Sequence, residues 1–180
     1  MNSLEKFIKG IGPTLGPLSS EVVASCQRHM EELAAAPHTE DWIVELHREN
    51  PEHRELYVDQ KYGFNLLAHA EEEGRYRRPH DHGLGWVVYA VQRGEIEMGT
   101  FIRVEDPDGK VRLVKRDATR LKAGDVKAFV PGDIHDTRCI KGPVTLLRLT
   151  DRDLLKEEHE TDRLTRYVEI DGNWTVKPRD

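Results

Sequence analysis

Several things are scarce in this sequence, and each scarcity removes a class of protein. Only two cysteines occur in 180 residues, Cys26 and Cys139, far apart along the chain. That is too few for a disulfide scaffold and fits a reducing, cytoplasmic setting. The longest unbroken apolar run, Trp86 to Val91, falls far short of the roughly 20 residues that span a bilayer, and no basic-then-apolar leader follows Met1. Neither a membrane partner nor secretion is expected. A basic surplus is also missing: 27 Lys and Arg stand against 33 Asp and Glu, leaving a net charge of −6. Such a balance repels phosphate backbones, so no nucleic-acid partner is expected. No repeat of solenoid length and no linker-like stretch interrupts the chain. What remains is a length suited to one domain, a 37% hydrophobic content adequate for a core, and nine histidines, which are the unusual feature.

Hydrophobic periodicity changes once. Up to about residue 50 the chain reads as helix, with Val22, Val23, Cys26, Met30 and Leu33 at helical spacing after Ser20, then a second short helix from Thr39 carrying Trp42, Ile43 and Leu46. From Leu56 onward, short β-branched and aromatic stretches alternate with turn formers. They cover residues 64–70, 86–92, 95–104, 111–115, 126–130, 136–140 and 144–149. The pattern predicts an all-β antiparallel barrel or sandwich over residues 51–180 behind a helical N-terminal cap over 1–50, as a single domain. The tail beyond Asp151 is expected to begin as a charged helix and close as a hairpin around Asp171-Gly172-Asn173. The helix from Glu21 to Leu33 is amphipathic and suits either capping the barrel or pairing two copies as a homodimer.

His80-Asp81-His82 is the most informative tripeptide. On a strand, residues i and i+2 face one side with Cα atoms roughly 6.6 Å apart, so two imidazoles could chelate one metal. In isolation the tripeptide reads equally as a pair of surface histidines. Its surroundings are more specific: Gly74 precedes His80 by six residues, Gly94 follows His82 by twelve, and a second block reads Gly124, then Pro131-Gly132-Asp133-Ile134-His135.

These spacings resemble the two motifs of the cupin superfamily, and the resemblance implies a cupin double-stranded β-helix, a jelly-roll barrel with a metal at its centre. The ligands it implies are His80, His82 and His135. Val87 occupies the place of the usual acidic ligand, the proline of the second motif is moved to 131, and Cys139 stands where an asparagine is usual. Without that carboxylate, three neutral imidazoles leave the charge of a divalent ion uncompensated, which favours an anionic, bidentate ligand. Within the superfamily a three-histidine set is similar to the thiol dioxygenases, typified by cysteine dioxygenase. The stretch Arg54-Glu55-Leu56-Tyr57-Val58-Asp59-Gln60 followed by Phe64-Asn65-Leu66 resembles the segment that leads into that family's metal site.

Carried over residue by residue, the resemblance gives Arg54 the role of binding a substrate carboxylate; the other reading is a solvated surface arginine. His69 falls where the family has an apolar pocket residue, implying a more polar cavity or simply an exposed strand histidine. Tyr89 either offers its hydroxyl to substrate or packs in the barrel. Strand parity with His80 also places Arg78 and Tyr76 on the metal face, with Val87 and Val91 beside Tyr89 on the next strand and Thr137 and Cys139 beyond His135. Arg148 reaches the pocket only if its strand is shifted by one residue from the family alignment. Two departures count against cysteine as substrate: the family's cysteine is replaced by Val87, and no tyrosine occurs in 144–149. The expected activity is an Fe(II)-dependent dioxygenase that oxidises a small anionic, metal-chelating substrate with O₂. The alternatives are a Zn, Ni or Mn site acting as Lewis acid in an isomerase, lyase or hydrolase, or a cupin that binds a small molecule without turnover.

Overall fold

The computed structural model describes residues 1–161 and 163–176. The last four positions of the expected barrel-and-tail segment, 177–180, lie outside the described residues. Local capping chemistry sets the N-terminal helices. Helix α1 (Ser3–Ile11) opens with a capping box: Asn2 Oδ1 accepts from the Glu5 amide while the Glu5 carboxylate accepts from the Asn2 amide. Helix α2 (Ser20–Ala34) is capped by the Ser19 hydroxyl, one residue earlier than the pattern indicated. Helix α3 (Asp41–Glu49) ends at Asn50, whose φ of 43° reverses the chain into the first strand. No helix among the described residues is long and apolar enough to cross a membrane.

The strands that follow are β1 (Arg54–Val58), β2 (Asn65–Glu71), β3 (Tyr76–His80), β4 (Val87–Glu105), β5 (Val111–Lys122), β6 (Val126–Phe129) and β7 (Ile134–Thr150). Two of them, β4 and β7, run through positions that read as breaks between strands. The turn signals near Gly94 and Gly142 mark bends instead. The β4–β7 ladder slips register between Val91 and Ile96, and Gly94 takes a φ of 84° there. Bulges of this kind let one strand leave one sheet and continue in another. The first halves and second halves therefore serve two facing sheets. One has the order β1, β2, β7 (144–150), β4 (87–91), β6; the other has β3, β7 (134–141), β4 (95–105), β5. All pairings are antiparallel, and the result is the double-stranded β-helix.

Alternation along β4 separates two cores. Val87, Tyr89 and Val91 point into the barrel with Ile96, Met98, Phe129, Val144 and Leu146. Val88 and Ala90 point outward beside Leu147 and Leu149, where Cys26, Met30 and Leu33 of α2 cover them. Helix α2 is thus spent on the barrel wall. Beyond β7, helix α4 (Leu154–Thr161) and a hairpin of β8 (Tyr167–Ile170) with β9 (Asn173–Val176) follow; Tyr167 packs on Phe101 and Ile134, on the outside of the second sheet.

Candidate metal centre and its cavity

Strand pairing, more than the spacing within the tripeptide, assembles the three histidines. His80 lies directly opposite His135 in the β3–β7 ladder, and paired residues project to the same face. Strand β3 ends at His80, so His82 does not reach the site by strand parity. It sits in the loop behind, where its carbonyl accepts from the Gly85 amide at 2.9 Å as the chain turns. One potential ligand nitrogen from each of the three rings falls within 4.8 Å of the others. His82 Nε2 and His135 Nε2 are 3.5 Å apart, close to the roughly 3.3–3.4 Å that two nitrogens adopt on one ion with bonds of about 2.0–2.1 Å and tetrahedral angles. His80 Nδ1 donates to the Arg78 carbonyl at 2.9 Å, which leaves its Nε2 lone pair for a ligand bond.

Burial makes these rings good donors. It lowers the basicity of all three; the His80 charge adds to this at His82, which is pushed down to about 3, and the His80 and His82 charges add to it at His135. Neutral imidazoles are the form that binds metals. The His135 ring is stacked on Phe129, with centroids 4.0 Å apart and planes 15° from parallel, which fixes its orientation. No carboxylate belongs to the cluster among the described residues. Val87, fully buried, points into the barrel on β4. The donor set therefore fits a divalent transition metal with coordination positions left over.

Asp81 contributes by holding the loop. Its Oδ1 accepts from the Gly83 amide and from the Thr165 amide, both at 2.9 Å, and its own amide donates to the Thr165 carbonyl at 3.0 Å. Arg166 bridges to the backbone of His80, and its guanidinium is paired to Glu158 at 2.6 and 2.7 Å. The segment before β8 thus straps the ligand loop in place and walls the site.

A cavity of about 670 Å³ opens at His80 and His82, with His135 buried behind them. Its inner wall is set by the ladder register. Arg148 on β7 pairs with Tyr89 on β4 and with Leu67 on β2, and Leu146 pairs with Val91 and His69, so all of these face inward. Arg148 enters the cavity and lies against the Tyr89 hydroxyl. Among the described residues it forms no ion pair. The neighbouring Arg77 is neutralised by buried Glu71 at 2.6 Å. Burial raises the Tyr89 hydroxyl above its ordinary range, so it stays protonated. His69 lines the same wall.

Three sequence expectations are corrected. Arg54 does not reach the cavity: its guanidinium is paired with Glu45 and Glu49 of α3, because β1 is the sheet edge beside that helix. Arg78 and Tyr76 line part of the cavity but do not share the strand face of His80. A bulge between Arg77 and His80 shifts the alternation by one, so Arg77 faces inward opposite Thr137 and Arg78 is exposed. The Tyr76 hydroxyl donates to Asp136 at 2.8 Å on the other side of the sheet. Arg148 was expected in the pocket only under a shifted register, and Arg77 with Glu71 and Asp81 were not singled out as site residues from the sequence. A one-residue change of register in the β7 stretch, the condition stated from the sequence, is what brings Arg148 inward, and no sequence signal marks the bulge that selects Arg77.

No family model and no curated protein matches the chain. Solved structures do. The cupin domain of Cnp3 from Schizosaccharomyces pombe is similar at 14% identity and a TM-score of 0.43, over 59% of this chain and 64% of that one. KdgF from Halomonas sp. is similar at 16% identity and a TM-score of 0.42, over 54% and 74%. A Klebsiella pneumoniae protein with a double-stranded β-helix domain is similar at 20% identity and a TM-score of 0.40, over 56% and 73%. The chain spans less than two thirds of the S. pombe structure it matches.

Proposed function

We propose that the protein is a metal-dependent cupin of the thiol-dioxygenase type, in which His80, His82 and His135 hold Fe(II) and a small anionic, metal-chelating substrate is oxidised by O₂, both oxygen atoms ending in the product. The observation that carries this reading is the pairing of a neutral three-nitrogen donor set with an arginine, Arg148, that enters the same cavity without a carboxylate partner. When bound, Fe(II) supplies a redox-active centre with free positions at which a chelating anion and O₂ can meet.

The rest is done by the chain. Arg148, in place of Arg54, offers a permanently charged, bidentate fork to the acid group of the substrate. That fork and the absence of a ligand carboxylate both select for an anion. Tyr89, 5.5 Å from the His135 ring centroid and held by Arg148, presents a protonated hydroxyl as a hydrogen-bond donor toward the reacting group. Leu146 and Leu154 line the cavity with apolar surface that limits water around the reacting atoms. Oxygen uptake by the Fe(II)-reconstituted protein, screened over thiol acids, β-diketones and short hydroxy acids, tests the proposal. O₂ should be consumed in proportion to substrate. Anaerobic turnover by the zinc form, with an inert iron form, would instead establish Lewis-acid chemistry.

A further inference from the structure

We infer that His69 is a specificity-determining residue: the substrate carries, beyond the acid group taken by Arg148, a neutral hydrogen-bond donor such as a hydroxyl, and His69 Nε2 accepts from it. The inference rests on the reading of this cavity as an anion-binding active site and adds the chemical class of the substrate's far end.

Three observations converge on it. The first is placement. His69 pairs with Leu146, two residues from Arg148 on the same face of β7, so the histidine and the arginine are diagonal neighbours on the cavity wall. The second is the tautomer. His69 Nδ1 lies 2.9 Å from the Glu52 carbonyl, which can only accept, so Nδ1 carries the hydrogen and Nε2 carries a lone pair. The T-shaped contact with the His53 ring, at 5.2 Å between centroids, steadies that orientation. The third is the state of Nε2 itself. It is shut off from solvent and has no hydrogen-bond partner among the described residues. Buried polar atoms are normally paired, and one that is not asks for a partner from outside the chain. Burial, and then the nearby Arg148 charge, push the basicity of His69 down to about 3, so the ring remains neutral and serves as an acceptor.

The same geometry orders the ligand. Tyr89 on β4 and Arg148 on β7 lie on adjacent strands, and His69 lies on β2, one strand further. At about 4.8 Å per strand, His69 is roughly 10 Å from the strand that bears Tyr89. A three-carbon acid anchored at the metal and Arg148 would end short of His69. The fitting substrate is longer: chelating group first, acid group next, neutral donor last. The cavity of about 670 Å³ has room for it.

The test is calorimetric titration of the metal-loaded protein under nitrogen with 2-mercapto acids of four to six carbons that end in a hydroxyl, each against the isosteric acid that ends in methyl. At the length that reaches His69, the hydroxyl acid should bind roughly ten-fold more tightly, because the methyl leaves a buried acceptor unpaired. His69→Leu should bring the pair within about two-fold while binding of the methyl acid and metal content are kept. His69→Gln, whose carbonyl oxygen can accept, should recover part of the preference. Equal affinities at every length in the unmodified protein would overturn the inference, whatever the variants do, and so would a preference that survives His69→Leu. If neither acid binds at any length, the anion-binding reading fails and takes this inference with it; if both bind equally, only this inference fails.

Discussion

Replacing Asp81 by alanine should loosen the metal centre without touching a ligand. The Asp81 carboxylate accepts two backbone amides at 2.9 Å, from Gly83 inside the ligand loop and from Thr165 in the strap. A hydrogen bond to a charged acceptor contributes about 1.5–3 kcal/mol, giving roughly 3–6 kcal/mol for two before solvent is considered. Asp81 is half-buried, so water can replace part of what is lost, and about 2–3 kcal/mol is the reasonable net cost. The loop between His80 and His82 bears most of it, since Gly83 approaches the Arg163 backbone so closely that an added Cβ would stand 3.0 Å from its carbonyl oxygen. Losing the carboxylate should therefore free His82 and weaken zinc binding about 10- to 100-fold, the range seen when a group supporting a ligand is removed. Competition against a chromophoric chelator measures this directly. Asp81→Asn keeps an oxygen able to accept both amides and should remain within a few-fold of the unmodified protein. An Asp81→Ala protein that binds zinc within two-fold of the original would refute the reasoning, as would an asparagine variant as weak as the alanine one.

Arg148→Met should raise KM for an anionic substrate roughly ten- to a hundred-fold with metal content unchanged, the scale of one lost charge-assisted contact; unaltered steady-state kinetics would count against the anchor. Gly94→Ala should cost about 3 kcal/mol in urea unfolding, because φ is 84° and the new Cβ would meet the Lys141 carbonyl at 2.6 Å. Gly124→Ala, at a φ of 93° but in open space, should cost only about 1 kcal/mol, and equal losses would remove the bend's tight approach from the explanation. In the metal-free protein, stability should fall as pH drops from about 6.5 toward 3. His69 and His82, held near 3 chiefly by burial, stay unprotonated in the folded state while the unfolded chain takes up their protons. The slope approaches about 1.4 kcal/mol per pH unit for each histidine and vanishes above the unfolded value, so His69→Leu should flatten urea-derived stability between pH 5 and 7. An unchanged slope would contradict the burial of His69.

The barrel and the three-histidine cluster were legible because both depend on spacing. Alternation within β2, β4, β6 and β7 and the spaced glycine and histidine landmarks survive in one dimension. Long-range register does not. Whether Arg54 or Arg148 enters the cavity depends on β1 lying at the edge against Glu45 and Glu49, and on β7 pairing Arg148 with Tyr89. Neither fact is encoded locally. The bulge that exchanges Arg77 for Arg78 has no residue signature, and the strap that Asp81 holds arrives from more than eighty residues away. Tyr89 and His69 did face inward as strand alternation allowed, since each is in regular register with β7.

Metal content is the most direct test of the central claim. Protein purified without added metal, and then reconstituted with Fe(II) or zinc and freed of excess, should carry one divalent ion per chain by elemental analysis. His80→Ala, His82→Ala and His135→Ala should each lose most of it, because two imidazoles hold a divalent ion poorly against water. A His135→Ala protein that remains folded and keeps a full equivalent of metal would contradict the assignment of this site.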